Sequence, residues 1–319
     1  MRSTIRFAIA PLSLLMTAEL ALAGPTPVWE SRMSAAATAQ REGRLGDAEA
    51  ALREAIADAE RDQPGGLETA AGLNALAIVL SEQGRNAEAV AIGRRALAMR
   101  EQALGPAHPD VAIALNNLAG HHALERNYGT AAALYLRALA IQELALGPDD
   151  PSTLTSVRNL AALYVDQRRY AEAEPLVARL VRAREREVGP DDPVVAAELN
   201  NLAEIYRLDG RAREAERLYR RALGIQEKTL GSTHVELAIV RSNLARLYAS
   251  QGDFAQAEVL YRQALAAREA LLGPTHPALV QTLDAYSIVL RGLGRAREAD
   301  VLQARARQIR ADPEKSEER

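Results

Sequence analysis

The 319-residue chain contains no cysteine, and this absence closes several routes at once. It excludes disulfides, a thiol nucleophile, cysteine-ligated metal and a lipidated cysteine. Aromatic residues make up only 4% of the chain, so its 48% hydrophobic content must come mainly from alanine and leucine. Both are strong helix formers, and the β-branched and aromatic enrichment of sheets is missing. Lysine occurs twice, as Lys228 and Lys315. Neither follows a glycine, which removes the phosphate-cradling loop of nucleotide-binding proteins. The reliance on arginine reads as coding bias before chemistry. A net charge of −3 gives no general attraction to nucleic acid.

Long apolar runs are also scarce. The one at the start, Phe7 to Met16, follows Arg2 and Arg6 and precedes the small residues Ala21-Leu22-Ala23. A basic start, a short apolar centre and such a site make a secretory signal peptide over residues 1–23, with cleavage expected between Ala23 and Gly24. The alternatives are an uncleaved anchor, which the charge of Glu19 opposes more than it does a signal, and a mere apolar N-terminal helix. The expected location is the periplasm or outside the cell. No later run approaches the ~18 residues of a membrane span, so no stable membrane insertion is expected after cleavage.

What the chain has in abundance is periodicity. Gly105, Gly147, Gly189, Gly231 and Gly273 recur every 42 residues, each preceded by Leu or Val and mostly followed by Pro. One unit is therefore copied in tandem, and each copy is expected to bury its apolar face mainly against its neighbours. Around Gly210, Leu199, Leu202, Ala203 and Tyr206 form one helical stripe, and Ala215, Leu218, Tyr219, Ala222 and Leu223 form a second. Gly84, Gly252 and Gly294 share the slot of Gly210, where a left-handed helix end suits glycine, while Arg126 and Arg168 replace it twice. The unit is a helical hairpin. The Leu-Gly-Pro glycine suits a left-handed residue past the second helix. His108, Asp150, Asp192, His234 or His276 then reads as the cap of the next first helix.

Leu115-Asn116-Asn117-Leu118-Ala119, Leu199-Asn200-Asn201-Leu202-Ala203 and Ala212-Arg213-Glu214-Ala215-Glu216-Arg217-Leu218-Tyr219 carry a family resemblance. The pattern resembles the tetratricopeptide repeat, in the 42-residue variant of kinesin light chains. The fold class expected is all-α, an α-solenoid of tandem helical hairpins with about six repeats over residues 66–311. A degenerate first hairpin is expected at 24–65, and a disordered charged tail at 312–319. The resemblance further implies a concave groove, lined by the first helix of each hairpin, that binds a peptide segment of another protein.

Comparison between repeats separates scaffold from specificity. Ala77, Ala119, Ala161, Ala203 and Ala245 share a register with Ser287, and Ala89, Ala131, Ala173, Ala215, Ala257 and Ala299 share another. Small residues at fixed points let helices approach, so both rows are expected in the core. The row Asn74, Asn116, Arg158, Asn200, Ser242 and Asp284 varies, as do Glu204, Arg246 and Arg207 on neighbouring rows. These nine residues are the candidate peptide-binding positions, either gripping a ligand or merely solvated. Asn117, Asn159, Asn201 and Asn243 are uniform, which points to an architectural hydrogen bond between adjacent helices.

The search for chemistry ends empty. Three of the five histidines share the cap slot with aspartates, and His121 and His122 are adjacent and diverge, so no metal site is expected. His122 shares the slot of Tyr164, Tyr206 and Tyr248 and is expected to pack. No serine elbow or dinucleotide fingerprint is present, so neither a catalytic residue nor a cofactor is expected. The leading expectation is an exported, non-catalytic protein-binding scaffold. The alternative is an assembly or accessory subunit of a cell-envelope complex that uses its convex face or its ends.

Overall fold

A computed structural model describes residues 26–231 and 234–311. The expected signal peptide at 1–23 and the expected tail at 312–319 lie outside the described residues. The chain divides into two units, Met1–Leu176 and Val177–Arg319. The first holds α1 (Pro27–Arg41), α2 (Leu45–Asp62), α3 (Leu67–Glu82), α4 (Asn86–Leu104), α5 (Pro109–Leu124), α6 (Tyr128–Ala145), α7 (Pro151–Asp166) and the start of α8 (Tyr170–Val188). The second holds the rest of α8, then α9 (Pro193–Leu208), α10 (Ala212–Leu230), α11 (Leu237–Ser250), α12 (Phe254–Leu272), a 3-10 turn (Pro277–Leu279), α13 (Val280–Gly292) and α14 (Ala296–Ala311). Among the described residues there is no strand. Within each unit successive helices pack antiparallel in tandem, the arrangement of an α-solenoid.

Seven hairpin turns are built alike. At Gly84, the Gly84 amide donates to Ser81 O at 2.9 Å and the Arg85 amide to Leu80 O at 2.8 Å. The same two bonds recur at Gly43, Arg126, Arg168, Gly210, Gly252 and Gly294. This is the Schellman closure, which needs positive φ at its central residue. The glycines supply it freely, whereas Arg126 and Arg168 are forced into it at φ 61 and 58. The first helix pair, α1 and α2, has the same turn, but Gly43 lies 41 residues before Gly84 rather than 42.

After each turn the next helix often starts on an arginine with no side-chain cap. Arg44, Arg85, Arg169, Arg211 and Arg295 instead reach forward three residues to Asp47, Glu88, Glu172, Glu214 and Glu298. Such exposed pairs contribute a few tenths of a kcal/mol each. Arg169 and Arg211 also lie over the Tyr164 and Tyr206 rings, at 4.5 and 4.2 Å.

The joints between hairpins depart from expectation in one respect. Gly105, Gly231 and Gly273 have φ of 84, 82 and 83, but ψ of 156, 155 and 163. This is not the left-handed helical region but an extended mirror-image one, open essentially to glycine alone. At these three joints the chain therefore leaves the second helix extended rather than in a left-handed turn. The cap reading holds at the starts of α5, α7 and α9, where His108, Asp150 and Asp192 accept from the amides two residues on, at 3.1, 2.8 and 2.8 Å. His276 caps the 3-10 turn before α13 in the same way, at 3.1 Å. His108 and His276 do so through Nδ1, as aspartate does through Oδ1. The reading fails at His234, which accepts from the Glu236 amide at 3.3 Å in a loop, because α11 starts later, at Leu237, with Glu236 before it and no side-chain cap.

Both alanine rows are in the core. Ala77, Ala119, Ala161, Ala203, Ala245 and Ser287 are fully buried, as are Ala89, Ala131, Ala173, Ala215, Ala257 and Ala299. Larger side chains fill the space between them. In the first unit Trp29 and Met33 of α1 join Leu52 and Ile56 of α2 and Leu73 and Leu76 of α3 in one cluster.

Candidate functional site

The expected peptide-binding residues lie on the first helices, α3, α5 and α7 in the first unit and α9, α11 and α13 in the second. The two units use them differently. In the first, Asn74 and Asn117 are both buried, and Asn117 Nδ2 donates to Asn74 Oδ1 at 3.0 Å. Asn116 is also buried, and its amide donates to Ser156 Oγ at 2.6 Å and to Ala112 O at 3.1 Å. Arg158 is half-buried on α7. The amides of Asn74 and Asn116 therefore tie α3, α5 and α7 together, and little of either side chain meets solvent.

In the second unit the same register opens into a charged cluster. Asn243 Nδ2 donates to Asn200 Oδ1 at 2.8 Å, repeating the link of Asn117 with Asn74. From there the network runs on. Arg246 donates to Asn243 Oδ1 at 2.6 Å and to the Glu204 carboxylate at 3.2 Å. Arg207 forks onto both Glu204 oxygens at 2.7 Å, and the Tyr219 hydroxyl donates to Glu204 at 2.6 Å. Glu204 is 2% exposed, so its charge survives only because these donors satisfy it. Burial pushes its pKa up, but the Arg207 and Arg246 guanidiniums and the Tyr219 hydroxyl outweigh this and hold it below the usual carboxylate range. Tyr219 is pushed well above its ordinary value by burial and by the Glu204 charge.

Of the two guanidiniums on Glu204, Arg246 is nearer the surface, with its side chain 31% exposed against 17% for Arg207. Ile239, two turns before Arg246 on the same face of α11 and so about 10 Å away along the helix, is 53% exposed, and Ile288, in the register of Arg246 on α13, is 54% exposed. Ser242 turns inward, its hydroxyl donating to Ala238 O at 2.6 Å, and Asp284 pairs with Arg310 of α14. The surface thus offers a guanidinium with an exposed isoleucine on its own helix and another on α13.

Two groups of residues escape the sequence reasoning. Ile239 belongs to none of the rows singled out there, because one exposed isoleucine among buried ones leaves no periodic signal. The second group is a buried polar seam. Arg100 donates to Asp110 O at 3.0 Å, Ser156 Oγ donates to Gln142, and Arg268 donates to Thr282 Oγ1. Arg100, Gln142, Gln226 and Arg268 share one register, in which each second helix meets the next first helix. His121 is also buried, and its ring faces Ser81 Oγ at 2.6 Å rather than the Glu125 carboxylate. Desolvation, with the neighbouring His122, pushes it down to about 4.

Among the described residues no group of three or more His, Asp or Glu side chains could hold a metal ion, and no helix is long and apolar enough to cross a membrane. No curated protein matches the chain in sequence. Models of the tetratricopeptide repeat match residues 69–110, 110–186, 158–228 and 194–270. A crystal structure of kinesin light chain-like TPR repeats from Podosopora anserina is 27% identical, covering 66% of this chain and 99% of its own, with a TM-score of 0.56. A tetratricopeptide repeat protein from Parabacteroides merdae (17% identity, 88% and 93% covered, TM-score 0.58) and apo RapI (15% identity, 90% and 99% covered, TM-score 0.60) share the fold. Repeating hairpins, glycine-gated joints, alanine seams and these matches agree: the chain belongs to the tetratricopeptide repeat family.

Proposed function

We propose that this protein is an exported, non-catalytic scaffold that holds a peptide segment of a protein partner against α9, α11 and α13 of its second unit. Members of the repeat family are in general non-catalytic scaffolds that bind protein partners. The observation that carries the finer reading is the Glu204 network, which fixes Arg246 in place on α11 with part of its guanidinium side chain at the surface, and exposed isoleucines on α11 and α13. A guanidinium so held loses little freedom on binding a carboxylate, and the exposed isoleucines favour apolar neighbours in the ligand. Export is supported by the basic, apolar and small-residue pattern of residues 2–24.

A peptide library presented to the purified chain tests the site. Peptides combining acidic and apolar residues should be retained, and Arg246→Glu and Ile239→Asp should each release them. Retention that survives both substitutions sinks this placement. Export is tested by mass spectrometry of the protein from its host, which should find Gly24 at the N-terminus.

A further inference from the structure

The outward side of α10 is more basic than that of its sister helices, which carry arginines in only some of the same registers, such as Arg94 and Arg95 on α4 and Arg297 on α14. The exposed residues of α10 include Arg213, Arg217, Arg220, Arg221 and Lys228, a stripe along one face. Where α10 has Arg213 and Arg217, α4 has Ala87 and Ala91, and α12 has Ala255 and Val259. Alanine is a good solvated helix residue, so solvation alone does not call for this change. Within the stripe lies Gly224, exposed and with nothing within 4 Å of where a Cβ would sit. The same slot holds Ala98, Ala140 and Ala266 in other repeats. A glycine inside a helix costs about 1 kcal/mol relative to alanine, and no packing neighbour requires this one.

The notch so formed is ringed on its own helix by Arg220, Arg221 and Lys228 and by the one carboxylate of Glu227, at three and four residues' distance. Glu227 is drawn to Arg241 of α11 at 3.0 Å. Exposed Arg182 holds the corresponding position on α8. The two helices are tied together there by Arg221 to Glu185, at 2.6 Å. Arg220 and Lys228 also have acidic neighbours, Glu216 and Asp191, at 2.8 and 3.3 Å. These are exposed pairs, worth little and easily exchanged for a stronger anion.

We infer that the outer face of α10, with Arg182 of α8, binds the phosphate headgroups of an anionic lipid surface. Arginine forks match phosphate oxygens two at a time, and the side-chain-free floor at Gly224 lets a phosphate approach the helix backbone. From Arg213 to Lys228 the stripe runs about 22 Å, at 1.5 Å per residue. That length suits an array of phosphates rather than one small anion. The stripe carries no aromatic side chain on which a nucleic-acid base could stack, which favours lipid over single-stranded nucleic acid. Each arginine near such a surface contributes of the order of one power of ten or slightly less in affinity.

Co-sedimentation of the full chain with vesicles decides the matter. It should pellet with equimolar phosphatidylglycerol and phosphatidylcholine more strongly than with phosphatidylcholine alone, and salt should remove the difference. Arg213→Glu with Arg217→Glu should cut the anionic-specific binding at least about tenfold. Arg297→Glu with Arg307→Glu on α14 should leave it in place. Gly224→Leu, which fills the notch, should weaken binding while raising the melting temperature. Equal binding to both vesicles, or full binding by the α10 charge variant or by Gly224→Leu, would overturn the inference. So would a short duplex DNA that binds more tightly than the vesicles with the same dependence on Arg213 and Arg217, since the occupant would then be nucleic acid.

Discussion

Arg126 and Arg168 hold left-handed backbone conformations that five glycines adopt in the equivalent turns. An L-residue costs roughly 1–2 kcal/mol there, and glycine gives back about half of that as extra freedom in the unfolded chain. Arg126→Gly and Arg168→Gly should therefore each stabilise the protein by several tenths to about 1 kcal/mol. Urea midpoints would show it, and a loss of stability would mean that the arginine side chains hold the turns. His121 makes a second residue-scale prediction. It titrates near 4 in the folded protein against 6.5 when unperturbed, so between those values the unfolded chain binds a proton that the native one does not. Stability should accordingly be full above pH 6.5 and fall as the pH drops towards 4, by an amount of the order of a few kcal/mol. His122 is shifted in the same direction and adds to the slope. His121→Gln, which still offers Ser81 a partner but does not titrate, should flatten the urea-midpoint profile over that window.

At the scale of the helix, the joints carry the instruction. Gly231 combines φ 82 with ψ 155, and a Cβ there would meet nothing within 4 Å. The cost of Gly231→Ala is thus pure backbone strain, about 1–3 kcal/mol, and the same holds at Gly105 and Gly273. Melts of the three variants against an exposed control, Ala98→Ser, would check it. A cost no greater than the control's would mean that the joint relaxes into another conformation. Such elements were largely legible in the sequence: glycine spacing marked the turns and joints, and register identity marked both alanine rows. Polar residues were harder to place. Asn116 and Arg246 lie in neighbouring registers with similar periodicity, yet one is sealed between helices and the other reaches solvent. Helical period says which side a residue faces but not whether the next repeat covers that side. The row of buried Arg100, Gln142 and Gln226 and half-buried Arg268 was missed for a related reason. Alternation of arginine and glutamine shows no identity, and both residue types belong to exposed surfaces elsewhere.

For the whole molecule, stability is spread along the chain in neighbour-to-neighbour terms. Ala215 is fully buried, so Ala215→Leu should force overpacking that costs about 1–3 kcal/mol. The lesion should broaden the melting transition as well as lower it, because distant hairpins remain intact. A calorimetric scan that merely shifts without broadening would show that the chain melts as one block. The candidate site shares in this economy. Asn200 and Arg246 belong to a network that also braces α9 against α11, so removing them together should weaken folding and binding at once. Ile239→Asp, at an exposed position outside that network, is the cleaner probe of binding. The fixed step between repeats also constrains how the gene can change length. The buried alanines return every 42 residues, and from Gly84 onward so do the hairpin turns. Excising 42 codons rejoins equivalent faces and leaves a shorter version of the same protein. Excising 41 turns every later side chain on the spliced helix by about 100° and buries its arginines. Insertions and deletions should therefore accumulate in whole repeats, or be confined to the loops.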